Sequence, residues 1–209
     1  MTREKGTDLL QSVAERVLVR YLALEGRNDV TLTSGRSVSS STPGVDIMYR
    51  TGDTWWKIKV KPDAYFGTDP AKVYDRNLAF YRSDSGHYAF ESISNNATRE
   101  SGWTFNSDAH ELYYYYLALP QSEEEIRALL GEPDEIFFSE LRVEMDELHI
   151  LPMEPVLAWF EAHYDEYTPR PVTVGDHSAW YRIVPKSDLA GHVPGMKVIG
   201  AVFPLVARK

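Results

Sequence analysis

The segment that decides the fold runs from residue 44 to residue 63 and reads GVDIMYRTGDTWWKIKVKPD. Asp46 opens a short apolar run, and Asp53 marks a turn. After the turn, the sequence KIKVK at 57–61 alternates lysines with apolar residues, which is typical of a strand with one buried face. The segment therefore predicts two adjacent antiparallel strands, joined by a tight turn.

This predicted hairpin collects charged side chains from both of its strands. The residues brought together are Asp46, Lys59, Lys61 and Asp63. A further acid, Glu91, lies on a strand predicted at 86–94. Carboxylate oxygens bind Mg²⁺, and a lysine orients the attacking water or stabilises developing negative charge. The residue types therefore indicate metal-assisted phosphodiester chemistry.

The order of these residues resembles the PD-(D/E)XK, or restriction-endonuclease-like, nuclease superfamily, and within it the phage and mobile-element branch. That branch carries the pattern D…(D/E)xKxD…TGN-x-x-x-E…SG…T-x-A-D-Y. Residues 8 to 119 follow this order, with a weaker echo at 178–189. The positions that match are Asp46, Lys61, Asp63 and Glu91, then Ser101-Gly102, Ser107 and Ala109, with Ser85-Gly86-His87 where TGN is expected.

The resemblance implies an α/β fold, in which helices flank a mixed central sheet. It implies that Asp46, Asp63 and Glu91 hold Mg²⁺ or Mn²⁺, and that Lys61 is catalytic, with Lys59 assisting it.

One more catalytic candidate lies outside the hairpin. Glu15 belongs to a helix predicted at 7–25, where the superfamily often carries an additional acid that faces the site. The alternative is a solvent-exposed or ion-paired glutamate beside Arg16 and Arg20.

Two positions depart from the family pattern. Lys59 replaces the acid of (D/E)xK, and His110 replaces the aspartate of the last motif. The first change removes a metal ligand and adds a positive charge. Two functions stay open: a metal-dependent nuclease that hydrolyses DNA, or a non-catalytic module that binds nucleic acid or a protein partner in a phage or mobile-element assembly. A structural protein without nucleic-acid contact is a third.

The net charge of −9 is unevenly distributed. Residues 120–169 hold 14 acidic and 2 basic residues, whereas the rest of the chain holds 17 acidic and 20 basic residues. Three interpretations of the acidic segment stay open: a solvated face, a docking surface for a basic protein, or a negative wall that steers DNA. The mildly basic remainder is compatible with phosphate contacts.

Nucleic-acid contacts are predicted at four residues: Arg76, Arg82, Arg99 and Trp56. Trp55 and Trp56 are adjacent, so on a strand they point to opposite faces and only one of them belongs to the core. Mixed aromatic and basic surface is also common without any ligand.

The composition indicates a folded protein of one domain, with 43% hydrophobic residues in 209. The absence of cysteine excludes disulfides, thiolate zinc sites and cysteine nucleophiles. The N-terminal residues carry no apolar signal core, and no stretch approaches the roughly 20 apolar residues that span a bilayer. A cytoplasmic protein without membrane contact is the expectation.

The domain is predicted to contain a core at 1–119, an acidic insertion packed on it at 120–169, and C-terminal strands at 170–209 that complete it. Within the insertion, Ser122 and Glu125 predict a capping box, and alternation at 141–145 predicts a half-exposed strand. A helix is predicted from Pro155, and a strand pair between 195 and 206.

Overall fold

A computed structural model describes residues 4–33, 43–64, 69–75, 77–82 and 86–208. The strands are β1 (Asn28–Leu32), β2 (Ile47–Thr51), β3 (Thr54–Ala64), β4 (His87–Asn95), β5 (Glu100–Ser101), β6 (Glu111–Ala118), β7 (Met145–Pro152), β8 (Pro169–Val174), β9 (His177–Pro185) and β10 (Lys197–Gly200). The helices are α1 (Glu4–Leu24), α2 (Pro70–Val73), α3 (Glu123–Leu130), α4 (Asp134–Glu140), α5 (Met153–His163), α6 (Lys186–Leu189) and α7 (Phe203–Val206), and a 3-10 turn spans Tyr164–Glu166. The class is mixed α/β, as predicted.

The strands form two sheets. A six-stranded sheet has the order β1-β2-β3-β6-β7-β10, and a four-stranded sheet has the order β5-β4-β9-β8. β3 and β6 run parallel, while the other pairs are antiparallel, so the larger sheet is mixed, as predicted. Its predicted restriction-endonuclease-like topology remains an expectation.

The β2–β3 hairpin forms as the sequence predicts. The turn at 52–53 is closed by Gly52, whose φ of 58° is readily accessible to glycine. Ile58 and Val60 are fully buried, and Lys57, Lys59 and Lys61, which alternate with them, lie on the opposite face.

β6 separates two cores. Tyr113 and Tyr115 pack with α1, α3, α4 and α7, whereas Tyr114 and Tyr116 pack with the second sheet and α5. The predicted division of the four tyrosines, two on each face, is confirmed. We call these two sides the helix-covered face (Ile58, Val60, Tyr113, Tyr115, Leu148, Ile150) and the inter-sheet face (Lys59, Lys61, Asp63, Leu112, Tyr114, Tyr116, Glu147, His149, Leu151).

The segment 120–169 is more than an insertion packed on the core. It supplies β7, which pairs with β6 along its whole length and with β10 on its other side. The half-exposed strand predicted at 141–145 is wrong, because Leu141 to Val143 follow the end of α4 and the strand begins at Met145. α3 begins with the predicted capping box between Ser122 and Glu125.

Two further boundaries differ from the predictions. α5 begins at Met153, two residues before the predicted start, because β7 passes directly into it. The strand pair predicted between 195 and 206 is wrong: β10 pairs with β7 instead, and the residues after it form α7. Among the residues that the structure describes, no helix is long and apolar enough to cross a membrane.

Candidate functional site between the two sheets

Asp46 forms an ion pair with Lys59, as the predicted hairpin requires. The Lys59 Nζ atom lies 3.0 Å from Asp46 Oδ2, and the two side chains are only 16% and 14% exposed. The same carboxylate oxygen accepts a hydrogen bond from the backbone N–H of Val60 at 2.7 Å. The charge of Asp46 is therefore balanced by a cation of the chain itself.

The turn before Asp46 is held by the motif around Ser107. Ser107 Oγ donates to the carbonyl oxygen of Gly44 at 2.9 Å, and the N–H of Asp108 donates to Pro43. Gly44 has a φ of 66°, and a Cβ atom there would lie 2.9 Å from Ser107. Two of the motifs that are far apart in the sequence thus meet in space.

Glu91 is positioned in the same way by Ser101-Gly102. A Cβ atom on Gly102 would lie 2.2 Å from the carbonyl oxygen of Glu91, so the close approach of the two backbones requires glycine. On its side chain, Glu91 Oε2 accepts a hydrogen bond from Tyr181 Oη at 2.7 Å.

The junction of the two sheets brings together three of the predicted site residues, Lys61, Asp63 and Glu91, each of which contacts a tyrosine there. Lys61 Nζ lies 5.8 Å from the centre of the Tyr181 ring, and Tyr181 is the residue that contacts Glu91. Asp63 Oδ2 accepts from Tyr114 Oη at 2.7 Å, and that hydroxyl accepts from the N–H of Ala89. Burial and the neighbouring Asp63 carboxylate raise the pKa of Tyr114 well above its usual value, so Tyr114 stays a hydrogen-bond donor.

The predicted metal ligands do not come together around one ion. Within the described residues, no group of three or more His, Cys, Asp or Glu side chains is arranged to hold a metal. Asp46 contacts Lys59, and Asp63 follows Lys59 by four residues along β3, so the Cα atoms of Lys59 and Asp63 are about 13 Å apart at the usual rise of a strand. Mg²⁺ needs oxygens at about 2.1 Å, so Asp46 and Asp63 do not fit a shared ion.

Glu15 lies on the buried side of α1, only 5% exposed, and is therefore not the solvent-exposed glutamate of the alternative interpretation. Its carboxylate accepts from Gln11 Nε2 at 2.7 Å, and Gln11 also reaches the carbonyl oxygen of Val60. α1 packs on the helix-covered face, whereas Lys59 and Lys61 belong to the other face of β3.

The four predicted nucleic-acid contacts have different environments. Arg82 and Arg99 are exposed, and Arg76 lies outside the described residues. Trp56 donates from its indole N–H to Glu111 at 3.0 Å and stacks on His110. The exposed tryptophan of the pair is Trp55, at 42%.

Trp55 belongs to a surface that the sequence-based prediction missed in part. Because residues 55, 57, 59 and 61 alternate with the buried residues of β3, they share one face, and Arg50 lies directly opposite Trp55. We call this surface the basic-aromatic face (Arg50, Trp55, Lys57, Lys59, Lys61). The sequence signal for Trp55 is its spacing: it lies two residues before Lys57 and so shares the face of the lysines. Trp56 lies two residues before Ile58 and so shares the face of the buried residues.

A buried network on the inter-sheet face was also missed. His149 is 3% exposed, with Nδ1 2.5 Å from the Tyr88 hydroxyl and Nε2 2.5 Å from Glu147 Oε1. Lys186 Nζ lies 3.4 Å from the same carboxylate oxygen. These residues come from β4, β7 and α6, and their sequence spacing gives no signal of the contact.

A comparison of the chain with known protein families, with curated proteins and with solved structures finds no match.

Proposed function

We propose that this protein binds nucleic acid on the basic-aromatic face without hydrolysing it. The observation that carries the proposal is the Asp46–Lys59 ion pair, at 3.0 Å, within that face. The Lys59 ammonium neutralises the carboxylate that a nuclease would use for its metal ion. Its charge is used in that pair, so the phosphate contacts are assigned to Arg50 and Lys57, beside the exposed Trp55.

The chemistry of the surface matches a nucleic-acid strand. Lysine and arginine side chains neutralise phosphates, while an exposed aromatic ring stacks on a base regardless of sequence. Exposure is greatest at the hairpin end, where Arg50 and Trp55 lie, and decreases towards Lys59. A strand would therefore make its first contacts at the hairpin end.

The net negative charge of the chain does not prevent a nucleic-acid strand from making its first contacts at the hairpin end. The acidic helices α3 and α4 pack on the helix-covered side of the larger sheet, through Ile126, Phe137 and Phe138. The basic-aromatic face lies on the other side of that sheet, so the sheet separates these acids from the proposed phosphate contacts.

The binding test is a titration of fluorescently labelled DNA and RNA strands of about 20 nucleotides, followed by anisotropy at several salt concentrations. Trp55→Ala is expected to weaken binding by about 1–3 kcal/mol. Lys57→Ala is expected to reduce the slope of log K against log salt by about 0.7 for single strands.

Lys197→Ala is the control, because it also removes one lysine, an exposed one at β10 on the edge of the sheet beyond β7. Its affinity and salt slope are expected to equal those of the unchanged protein. Equal losses in Lys57→Ala and Lys197→Ala would contradict a defined binding face, and so would an unchanged affinity in Trp55→Ala.

One specific observation favours phosphodiester hydrolysis as a second candidate. Lys61, Asp63 and Glu91 meet partners from both sheets, and Gly102 fixes the backbone of Glu91. A cleavage assay with Mg²⁺ or Mn²⁺ separates the candidates. Cleavage by the unchanged protein that disappears in Asp46→Ala would support the nuclease; no cleavage, with DNA still bound, supports the first proposal.

Lys59→Glu sharpens this test, since it places an acid at the position where the family pattern has one. We expect the variant to bind Mn²⁺ more tightly than the unchanged protein in a calorimetric titration. Lys57→Glu is the matched control with the same change of charge. An equal gain in both variants would mean that general negative charge, rather than the position beside Asp46, attracts the ion.

A further inference from the structure

The end of the β2–β3 hairpin is the most accessible part of the basic-aromatic face. Residues 50–55 are all exposed; the side chain of Arg50 is 48% exposed, and Trp55 is 42% exposed. Arg50 and Trp55 lie directly opposite each other in the β2–β3 register, so their Cβ atoms are about 5 Å apart on one face. A guanidinium and an indole ring therefore form one unit that a nucleotide reaches directly from solvent.

The turn of the hairpin orients the guanidinium of Arg50. Its Nε atom donates to the carbonyl oxygen of Gly52 at 3.0 Å, and its Nη2 atom lies 3.5 Å from Asp53 Oδ1. The Asp53 carboxylate is fully exposed, and an exposed ion pair of this kind contributes little to stability. A phosphate therefore replaces Asp53 beside Arg50 at small cost, while the bond to Gly52 keeps the guanidinium in position.

The inner end of the face offers less to a ligand. The charge of Lys59 is used by Asp46, and both side chains are largely buried. The second sheet meets β3 at Lys61, whose Nζ atom lies 5.8 Å from the centre of the Tyr181 ring. The part of the face that is left to a ligand is short, because Trp55 and Lys57 are only about 7 Å apart along β3.

This short surface favours an unpaired strand over a duplex. A base stacked on one aromatic ring increases affinity by roughly 5- to 150-fold, and an unpaired base presents its face freely. In a duplex the faces of the bases are covered by their neighbours, and unstacking a base costs about as much as one ring returns. The fully exposed acid Asp53 at the tip also opposes insertion of the hairpin between the phosphates of a duplex groove.

We propose that the basic-aromatic face selects single-stranded nucleic acid over duplex, with one base stacked on Trp55 and the flanking phosphates bound by Arg50 and Lys57. This inference rests on the proposed nucleic-acid binding, and it adds the class of nucleic acid that the face takes. The selection comes from Trp55, because phosphate contacts are available in single strands and duplexes alike.

The test compares three fluorescently labelled DNA probes of the same length, about 12 nucleotides, at one salt concentration. The first is a single strand, the second is the same strand in a blunt duplex, and the third is a strand that carries abasic sites throughout. The abasic strand keeps the phosphates and removes every base. We expect the unchanged protein to bind the single strand at least about 5-fold more tightly than either of the other two probes.

Two substitutions at Trp55 and one control assign this preference. Trp55→Ala is expected to reduce affinity for the single strand to that for the abasic strand, and to leave duplex and abasic binding unchanged. Trp55→Phe keeps an aromatic ring and is expected to retain most of the preference. Lys57→Ala is the control: it should weaken binding of all three probes by a similar factor, because it removes a phosphate contact that they share.

The outcomes separate this inference from the proposed function. Equal affinity for single strand and duplex would overturn the inference while leaving nucleic-acid binding in place. Equal weakening of all three probes by Trp55→Ala would also overturn it, since a general folding defect or a lost surface contact has this effect and a lost base contact does not. Failure of the unchanged protein to bind any of the probes would contradict the proposed function itself, and the inference with it.

Discussion

The two faces of the larger sheet are built from the same strands but have different chemistry. On the helix-covered face, Ile58, Val60 and Tyr113 pack against four helices in a continuous apolar core. On the inter-sheet face, the alternate residues of those strands are lysines, acids, tyrosines and His149, together with Leu112 and Leu151, which belong to a second apolar core. The strands therefore contribute mainly apolar packing to the first side, and both packing and polar groups to the second.

This difference between the two faces shows how buried polar side chains are accommodated on the inter-sheet face. Tyr114 is buried but donates to Asp63, and His149 is buried between Tyr88 and Glu147. Each of these groups has at least one hydrogen-bond partner on another strand, and pairing of this kind is the condition for burying polar atoms without a large cost. The helix-covered face depends on shape and apolar area, whereas the inter-sheet face combines an apolar core with specific hydrogen-bonded pairs.

The largest expected effect tests the apolar side. Phe137 of α4 is fully buried, and Arg16 lies over its ring at 4.2 Å. Phe137→Ala should lower the free energy of unfolding by about 3–5 kcal/mol, because it removes a ring and leaves a cavity. Urea unfolding measures this change.

The neighbouring Ile136, which is 44% exposed, supplies the matched control. Ile136→Ala should cost much less in the same urea experiment. Similar losses in the two variants would contradict the assignment of α4 to the core.

The second prediction tests whether pairing stabilises the polar side. Asp46→Ala leaves the Lys59 ammonium in a largely buried position and removes the acceptor of the Val60 N–H. We expect a loss of about 2–3 kcal/mol.

The double variant Asp46→Ala with Lys59→Met completes a mutant cycle for this pair. It should recover part of the loss, because no uncompensated charge remains. Strictly additive losses would mean that the ion pair contributes nothing, and would remove the main support for a lysine that substitutes for a metal ion.

The third prediction concerns the buried network. Tyr88→Phe removes the hydroxyl that contacts His149 Nδ1 and keeps the ring, so it should cost about 1–2 kcal/mol in urea unfolding. Tyr74→Phe is the control, because Tyr74 is highly exposed and should tolerate loss of its hydroxyl. A loss in Tyr88→Phe no greater than in the control would show that the network does not stabilise the contact between the sheets.

Local patterns in the sequence predicted the parts of this fold that depend on neighbouring residues. The β2–β3 hairpin, the Asp46–Lys59 contact and the capping box at Ser122 all follow from spacing within about 15 residues. The alternation of β6 likewise predicted which tyrosines share a face. In each case the structure is predicted by the spacing of the apolar residues or by a residue type that favours a turn.

The remainder depends on pairing between distant segments. β7 was missed because its pairing with β6 and β10 involves residues far away in the sequence, and because it passes into α5 at Pro152 without a turn. The network of His149 requires both the β6–β7 register and the position of the second sheet.

The smallest expected effect tests an exception on the helix-covered side, where Asp146 accepts hydrogen bonds from Tyr115, Val202 and Phe203. Burial raises the pKa of Asp146 above the ordinary value of 3.8, although these donors oppose the shift. The folded state therefore holds its proton at a higher pH than the unfolded chain, and this contribution to stability is lost as pH rises from about 3.8 through the raised pKa. Asp146→Asn should remove the dependence.

The measurement is the difference in the free energy of unfolding between the unchanged protein and Asp146→Asn, followed from about pH 3 to pH 7. This difference should decrease as pH rises. Asp176→Asn is a control of opposite sign, because the hydrogen bond from His177 lowers the pKa of the exposed Asp176, so its contribution is present at high pH and lost on acidification. If both differences changed in the same direction with pH, burial would not be the dominant influence on the pKa of Asp146. The helix-covered side would then accommodate a charge through hydrogen-bond partners, as the inter-sheet side does.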